Sequence, residues 1–76
     1  MSFSVEFLKI YDKKINSGEV SFRDSGIQIN DFNQMCIVPD FVMPEENLEI
    51  VCAKMKLSEE EIDILYREAG YTRKNG

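Results

Sequence analysis

The stretch from Pro44 to Gly70 leaves this chain little choice of architecture. Leu48, Val51, Cys52 and Met55 recur at i, i+3, i+4 and i+7, the spacing that lines one face of an α-helix. Ile62, Leu65, Tyr66 and Ala69 repeat the pattern. Between the two runs, "SEEE" places Ser58 three residues before Glu61. That is a capping box, in which hydroxyl and carboxylate each take a backbone N–H that a helix start leaves unpaired. Pro44 opens the first helix at a position where its missing N–H costs nothing, and Glu45 and Glu46 behind it face the positive end of the helix dipole. Gly70 closes the second.

The remainder reads as three more helices. Ser4 caps one that runs to Asn16, with Phe7, Leu8, Tyr11 and Ile15 on its inner face. "NSG" ends it at Gly18, and a short helix follows in "SFRDSG", where Ser21 and Asp24 stand three apart and Gly26 is the break. Asn30 is the expected N-cap of the third, with Asp31 in its first turn and Phe32, Met35 and Cys36 as its buried stripe. Pro39 ends that helix and "DFVM" is a loop. The alternation in "GIQIND" is too short for a strand. The expectation is an all-α fold of five short helices in one compact domain over residues 1–76, with its core at about 3–71 and a short tail at 72–76. At 76 residues, 43% of them apolar, with five Phe and three Tyr, such a core is near the lower limit of size for folding without staples.

Composition argues against enzymatic chemistry. The chain has no His, the commonest general base and metal ligand. Cys36 and Cys52 lack a second pair at zinc spacing, and no glycine-rich phosphate loop occurs. The acids of "EENLE" and "SEEEID" read as solvated faces and helix-terminus charges. No enzyme, metal or cofactor is expected. The two cysteines could form at most one bridge, but each falls in an apolar helical pattern, where a small buried thiol is the simpler reading. "MSFSVEFLK" has no basic region followed by an apolar run, and no stretch approaches the roughly 20 apolar residues of a membrane span. A soluble, cytoplasmic protein with no membrane partner is the expectation.

Charge is distributed unevenly. Fourteen acids against nine bases give net −5, which opposes non-specific attraction to phosphates. Residues 1–38 hold four bases (Lys9, Lys13, Lys14, Arg23) against five acids, whereas residues 39–76 hold five bases against nine acids. The acidity therefore belongs to the second half. The first half carries "SGIQINDFNQM", in which Asn30, Asn33 and Gln34 share a helix face opposite Phe32 and Met35, and Gln28 projects from the turn before them. Side-chain amides of this kind can bond both N6 and N7 of adenine in the major groove. An ordinary polar helix face has the same composition.

Two further features bear on that choice. "MPEENLEIVCAKMKLSEEEIDILYREAGY" runs from Met43 to Tyr71, and Gly26–Ile27 is followed by Phe32 six and Met35 nine positions after the glycine. In these respects the chain, over residues 3–71, resembles the lambda-repressor-like (XRE-type) helix-turn-helix proteins. The resemblance implies a lambda-repressor-like five-helix domain that binds double-stranded operator DNA, often as a homodimer, in a transcriptional regulator of the kind found on phages and mobile elements. It places Gln28, Asn30, Asn33 and Gln34 at groove-facing positions and Ser21 at a phosphate-contacting one, with Arg23 beside it. Lys13 and Lys14 add backbone contacts on charge grounds. The chain also departs from the pattern. Only five residues separate Val20 from Gly26, about one helical turn, roughly 4 residues, fewer than the family's second helix has. Cys36 and Val38 stand where the family has an acid and a glycine.

The alternative is an acidic protein-interaction module derived from the same fold, an anti-repressor, inhibitor or accessory protein that does not bind DNA. Phe41, Val42 and Met43 in the loop, and Ile64 on the outer side of the last helix, are its docking candidates, although the run at 41–43 reads equally as a loop folded over the core.

Overall fold

Three of the described helices begin where a serine side chain replaces partners that a first turn lacks. The computed structural model describes residues 2–72. It is all-α, with α1 (Phe3–Asn16), α2 (Phe22–Ser25), α3 (Ile29–Ile37), α4 (Glu45–Lys54) and α5 (Glu59–Ala69), and the described residues contain no strand. Ser2, Ser21 and Ser58 each accept a backbone N–H three residues on, from Val5, Asp24 and Glu61. At α5 the capping box is complete, because the Glu61 carboxylate also takes the Ser58 N–H at 2.9 Å. Pro44 directly precedes α4 as its N-cap. Gly26 ends α2 in the left-handed conformation, at φ 78°, which lets the chain turn sharply into α3.

One core holds the helices together. Phe3 and Phe7 of α1, Leu48 and Val51 of α4, Met55, and Leu65 of α5 are almost wholly removed from water. α1 packs chiefly on α5 and α2 on α4. The radius of gyration, 11.5 Å, is that of a close-packed globule of this length, about 11 Å. α3 is clamped from three sides. The Phe32 ring lies 5.7 Å from Tyr11 of α1 and 5.5 Å, edge-on, from Phe22 of α2. On its other flank the buried Asp31 carboxylate accepts from Nδ2 of Asn47 on α4 at 3.0 Å. Burial, aided by neighbouring Asp12, raises the Tyr11 pKa above its ordinary value of 10.0, so this ring packs as a neutral phenol.

Several local expectations change. Ser4 does not cap α1. It lies inside the helix, buried, and its hydroxyl makes a long 3.4 Å bond to the Phe41 carbonyl. Asn30 is the second residue of α3 and not its cap, because the Gln28 carbonyl already accepts the Phe32 N–H at 3.0 Å. Cys36 is exposed while Asp31 takes a buried place. With Phe32 wedged between two aromatic rings, the inward arc of α3 centres on Asp31, Phe32 and Met35 and leaves residue 36 outside. Cys52 is buried as expected, and the two cysteines form no disulfide.

The loop before α4 is not a protruding patch. Met43 is 0% exposed, and Phe41 and Val42 pack against the core. The Tyr71 hydroxyl donates to the Met43 carbonyl at 2.7 Å and so pins the loop to the end of α5. Ile64 of α5 is half-buried and is not among the side chains packed on the core. Of the tail expected at 72–76, only Thr72 is among the described residues.

Candidate functional site

The turn at Gly26 aims α3. An added Cβ at Gly26 would lie 3.0 Å from Lys54 Cγ and 3.5 Å from Ile50 Cγ2, so this corner sits directly on α4. Three residues later α3 starts, and it is held by the Phe32 and Asp31 contacts. Its outward face follows from those inward commitments. At 3.6 residues per turn, Ile29, Asn33 and Ile37 form one line opposite Met35, with Asn30 on one side of it and Cys36 on the other.

Of the four amides, Gln28, Asn30 and Asn33 are exposed and Gln34 is half-buried at the flank. Among the described residues, no hydrogen bond engages any of the four side chains. Asn30 in particular is free of the capping duty that its sequence position suggested. Three amides thus reach solvent together with their donors and acceptors unused. Between them stand two large apolar side chains. Ile29 is 67% and Ile37 74% exposed, the highest values among the exposed large hydrophobics. Sequence reasoning missed both isoleucines as site residues. Their i, i+8 spacing is readable, but periodicity phases the helix on Cys36 as an inner residue.

The charged candidates divide. The Ser21 hydroxyl is committed at the start of α2, accepting the Asp24 N–H at 3.3 Å and donating to the Asp24 carboxylate at 3.0 Å. An anion approaching there would meet that carboxylate. Lys14 is largely covered, and its ammonium lies 3.5 Å from Glu19. The Ser17 hydroxyl at 2.9 Å and the Lys14 ammonium together hold the Glu19 carboxyl below the ordinary 4.5. Lys13 and Arg23 are exposed and stand in no ion pair among the described residues. The outward face of α3 presents no acidic or basic side chain, because the single such residue of the helix, Asp31, is turned inward.

An open groove of about 560 Å³ lies between α4 and α5, with Glu45, Glu49 and Lys56 on its rim and Leu57, Ile62 and Tyr66 deeper. No group of three His, Cys, Asp or Glu among the described residues is placed to hold a metal ion. No described helix is long and apolar enough to cross a membrane. No protein-family model, curated protein or solved structure matches the chain.

Proposed function

We propose that this chain is a helix-turn-helix DNA-binding module of a transcriptional regulator, with α2 and α3 flanking the Gly26 turn and α3 as the helix that enters the major groove. One observation carries the reading. Gln28, Asn30 and Asn33 present unused amides on the outward side of a helix whose inner side is fixed at Phe32, Asp31 and Met35. A helix about 10–12 Å across suits a major groove about 12 Å wide, and amides are the groups that read adenine there. The short α2 still delivers the turn, because its cap and the left-handed Gly26 are both in place.

Backbone attraction is weak in this arrangement. With Ser21 and Lys14 engaged inside the protein, Lys13 and Arg23 remain as phosphate contacts. Each phosphate neutralised contributes about −0.9 to the slope of log K against log salt, so two contacts give roughly −2 per protomer. The test is selection of duplexes from a random pool at about 50 mM salt, where phosphate contacts are strong. Enrichment of two related half-sites about 10 bp apart supports a dimeric reader. Asn33→Ala should then lower affinity for the enriched site more than for random DNA, whereas equal loss on both would refute the role of α3.

A second reading has its own observation. The exposure of Ile29 and Ile37 on an uncharged helix face also suits a protein partner. With Met43 buried and Phe41 and Val42 packed on the core, such a partner would bind α3 itself and not the loop. Failure to enrich any duplex, together with a protein complex lost on Ile37→Asp, would establish that reading instead.

A further inference from the structure

We infer that α3 selects A·T base pairs, reading adenine through its amides and the thymine methyl through Ile29 and Ile37; this rests on the DNA-binding reading above and specifies its ligand. The four base pairs differ in what they show to the major groove. Guanine offers two acceptors, best met by Arg or Lys. Cytosine offers an amino donor, best met by a carboxylate. Adenine offers one donor and one acceptor, which an Asn or Gln amide matches, and thymine offers a methyl group, which an apolar side chain matches.

Between Ile29 and Ile37 there is no Lys, Arg or Glu. The only carboxylate, Asp31, is 5% exposed and bonded to Asn47, so it cannot reach a cytosine amino group. What remains outward is Ile29, Asn30, Asn33, Cys36 and Ile37. Guanine and cytosine thus lack their best-matching side chains on this face. Both A·T partners have theirs.

The spacing supports one short site. Ile29, Asn33 and Ile37 succeed each other at four-residue intervals, about 6 Å along a helix axis. That is about two base steps at 3.4 Å each. Ile29 to Ile37 spans about 12 Å, so one protomer lying along the groove covers a core of roughly four base pairs. An apolar side chain, an amide and a second apolar side chain then meet the groove in turn. The large exposed area of both isoleucines, otherwise unfavourable to leave in water, is covered by methyl groups in the complex.

The experiment uses the full chain and the site enriched from a random pool, resynthesised with deoxyuridine in place of thymidine at each core position in turn. Deoxyuridine keeps the base pair and removes only the methyl group. Affinity should fall about fourfold for each methyl that packs on an isoleucine, and Ile29→Ala or Ile37→Ala should abolish the sensitivity at its own position. Both side chains are exposed, so these variants keep the fold. Replacing the contacted adenine by 7-deazaadenine should cost about tenfold in wild type and little in Asn33→Ala. Sites rich in G·C at the core, or indifference to deoxyuridine, would overturn the A·T assignment while leaving α3 a DNA reader. Failure to enrich any duplex would overturn the DNA-binding reading and this inference together.

Discussion

Gly26→Ala tests how tightly the turn before α3 is specified. Two costs arise at this position, and they have separate origins. The backbone sits at φ 78°, where a side chain costs roughly 1–2 kcal/mol. The new methyl would also lie 3.0 Å from Lys54 Cγ, inside the 3.5–4.0 Å at which carbon pairs are comfortable. Lys54 is exposed, so its stem can move aside, and the crowding costs about 0.5–1 kcal/mol. The smaller freedom of alanine in the unfolded chain offsets about 0.5 kcal/mol. The net loss is about 2 kcal/mol, or about 10 °C in Tm for a domain of this size. Gly18→Ala is the control, because Gly18 has the same backbone at φ 79° and nothing within 4 Å of an added Cβ. It should lose only about 1 kcal/mol. Urea unfolding followed by far-UV circular dichroism measures both, alone and combined with Lys54→Ala. The Lys54 change should recover the excess in Gly26→Ala and do nothing in Gly18→Ala. Equal losses in the two glycine variants, with no rescue, would refute the close approach of this turn to α4.

Three other outcomes follow from the same coordinates. Asn47→Ala leaves the buried Asp31 carboxylate without its partner, and urea unfolding should show a loss of about 1–3 kcal/mol; a loss below about 0.3 kcal/mol would mean the bond does not hold α3 to α4. Cys36 is exposed, whereas Cys52 is buried in the wall of the groove between α4 and α5, so a thiol reagent should label Cys36 much faster than Cys52 in native protein. Rapid labelling of both would contradict the packing of α4. Glu19 titrates below its ordinary 4.5 because of Ser17 and then Lys14. Its contribution is therefore complete above the unfolded value and lost as pH falls through the lowered folded one. The stability difference between wild type and Glu19→Gln should be constant above about pH 5 and shrink on acidification. A difference that grows instead would reverse that assignment.

Local chemistry made most of the architecture readable, and tertiary contacts account for what was missed. α4 and α5 announce themselves because Pro44, Ser58, Glu61 and Gly70 act on their own neighbours. Ser21 and Gly26 do the same for α2. Ser4 and Asn30 are good capping residues by type, yet Ser4 is drawn inside by the loop at Phe41 and Asn30 is displaced into the first turn of α3. The phase of α3 depends on Asp31 meeting Asn47, sixteen residues away. Periodicity counts an aspartate as outward and a cysteine as inward, so it turned this short helix slightly the wrong way. Gln28, Asn30 and Asn33 stay exposed in spite of it because they lie away from the buried arc, whereas Gln34 falls at its edge. The same phasing hides the isoleucines. The loop at 41–43 takes the core-covering one of its two readings, held there through the Tyr71 hydroxyl.

The central claim is that the outward amides of α3 meet a duplex. The most direct measurement is a ¹⁵N-resolved NMR titration of the side-chain NH₂ groups with an A·T-rich duplex at about 50 mM salt. Large shifts are expected for Asn30 and Asn33, with a change at Gln28 and a still signal from Asn47, which is tied to Asp31 on the far side of the helix. Unmoved Asn30 and Asn33 resonances, or shifts confined to α4 and α5, would contradict it.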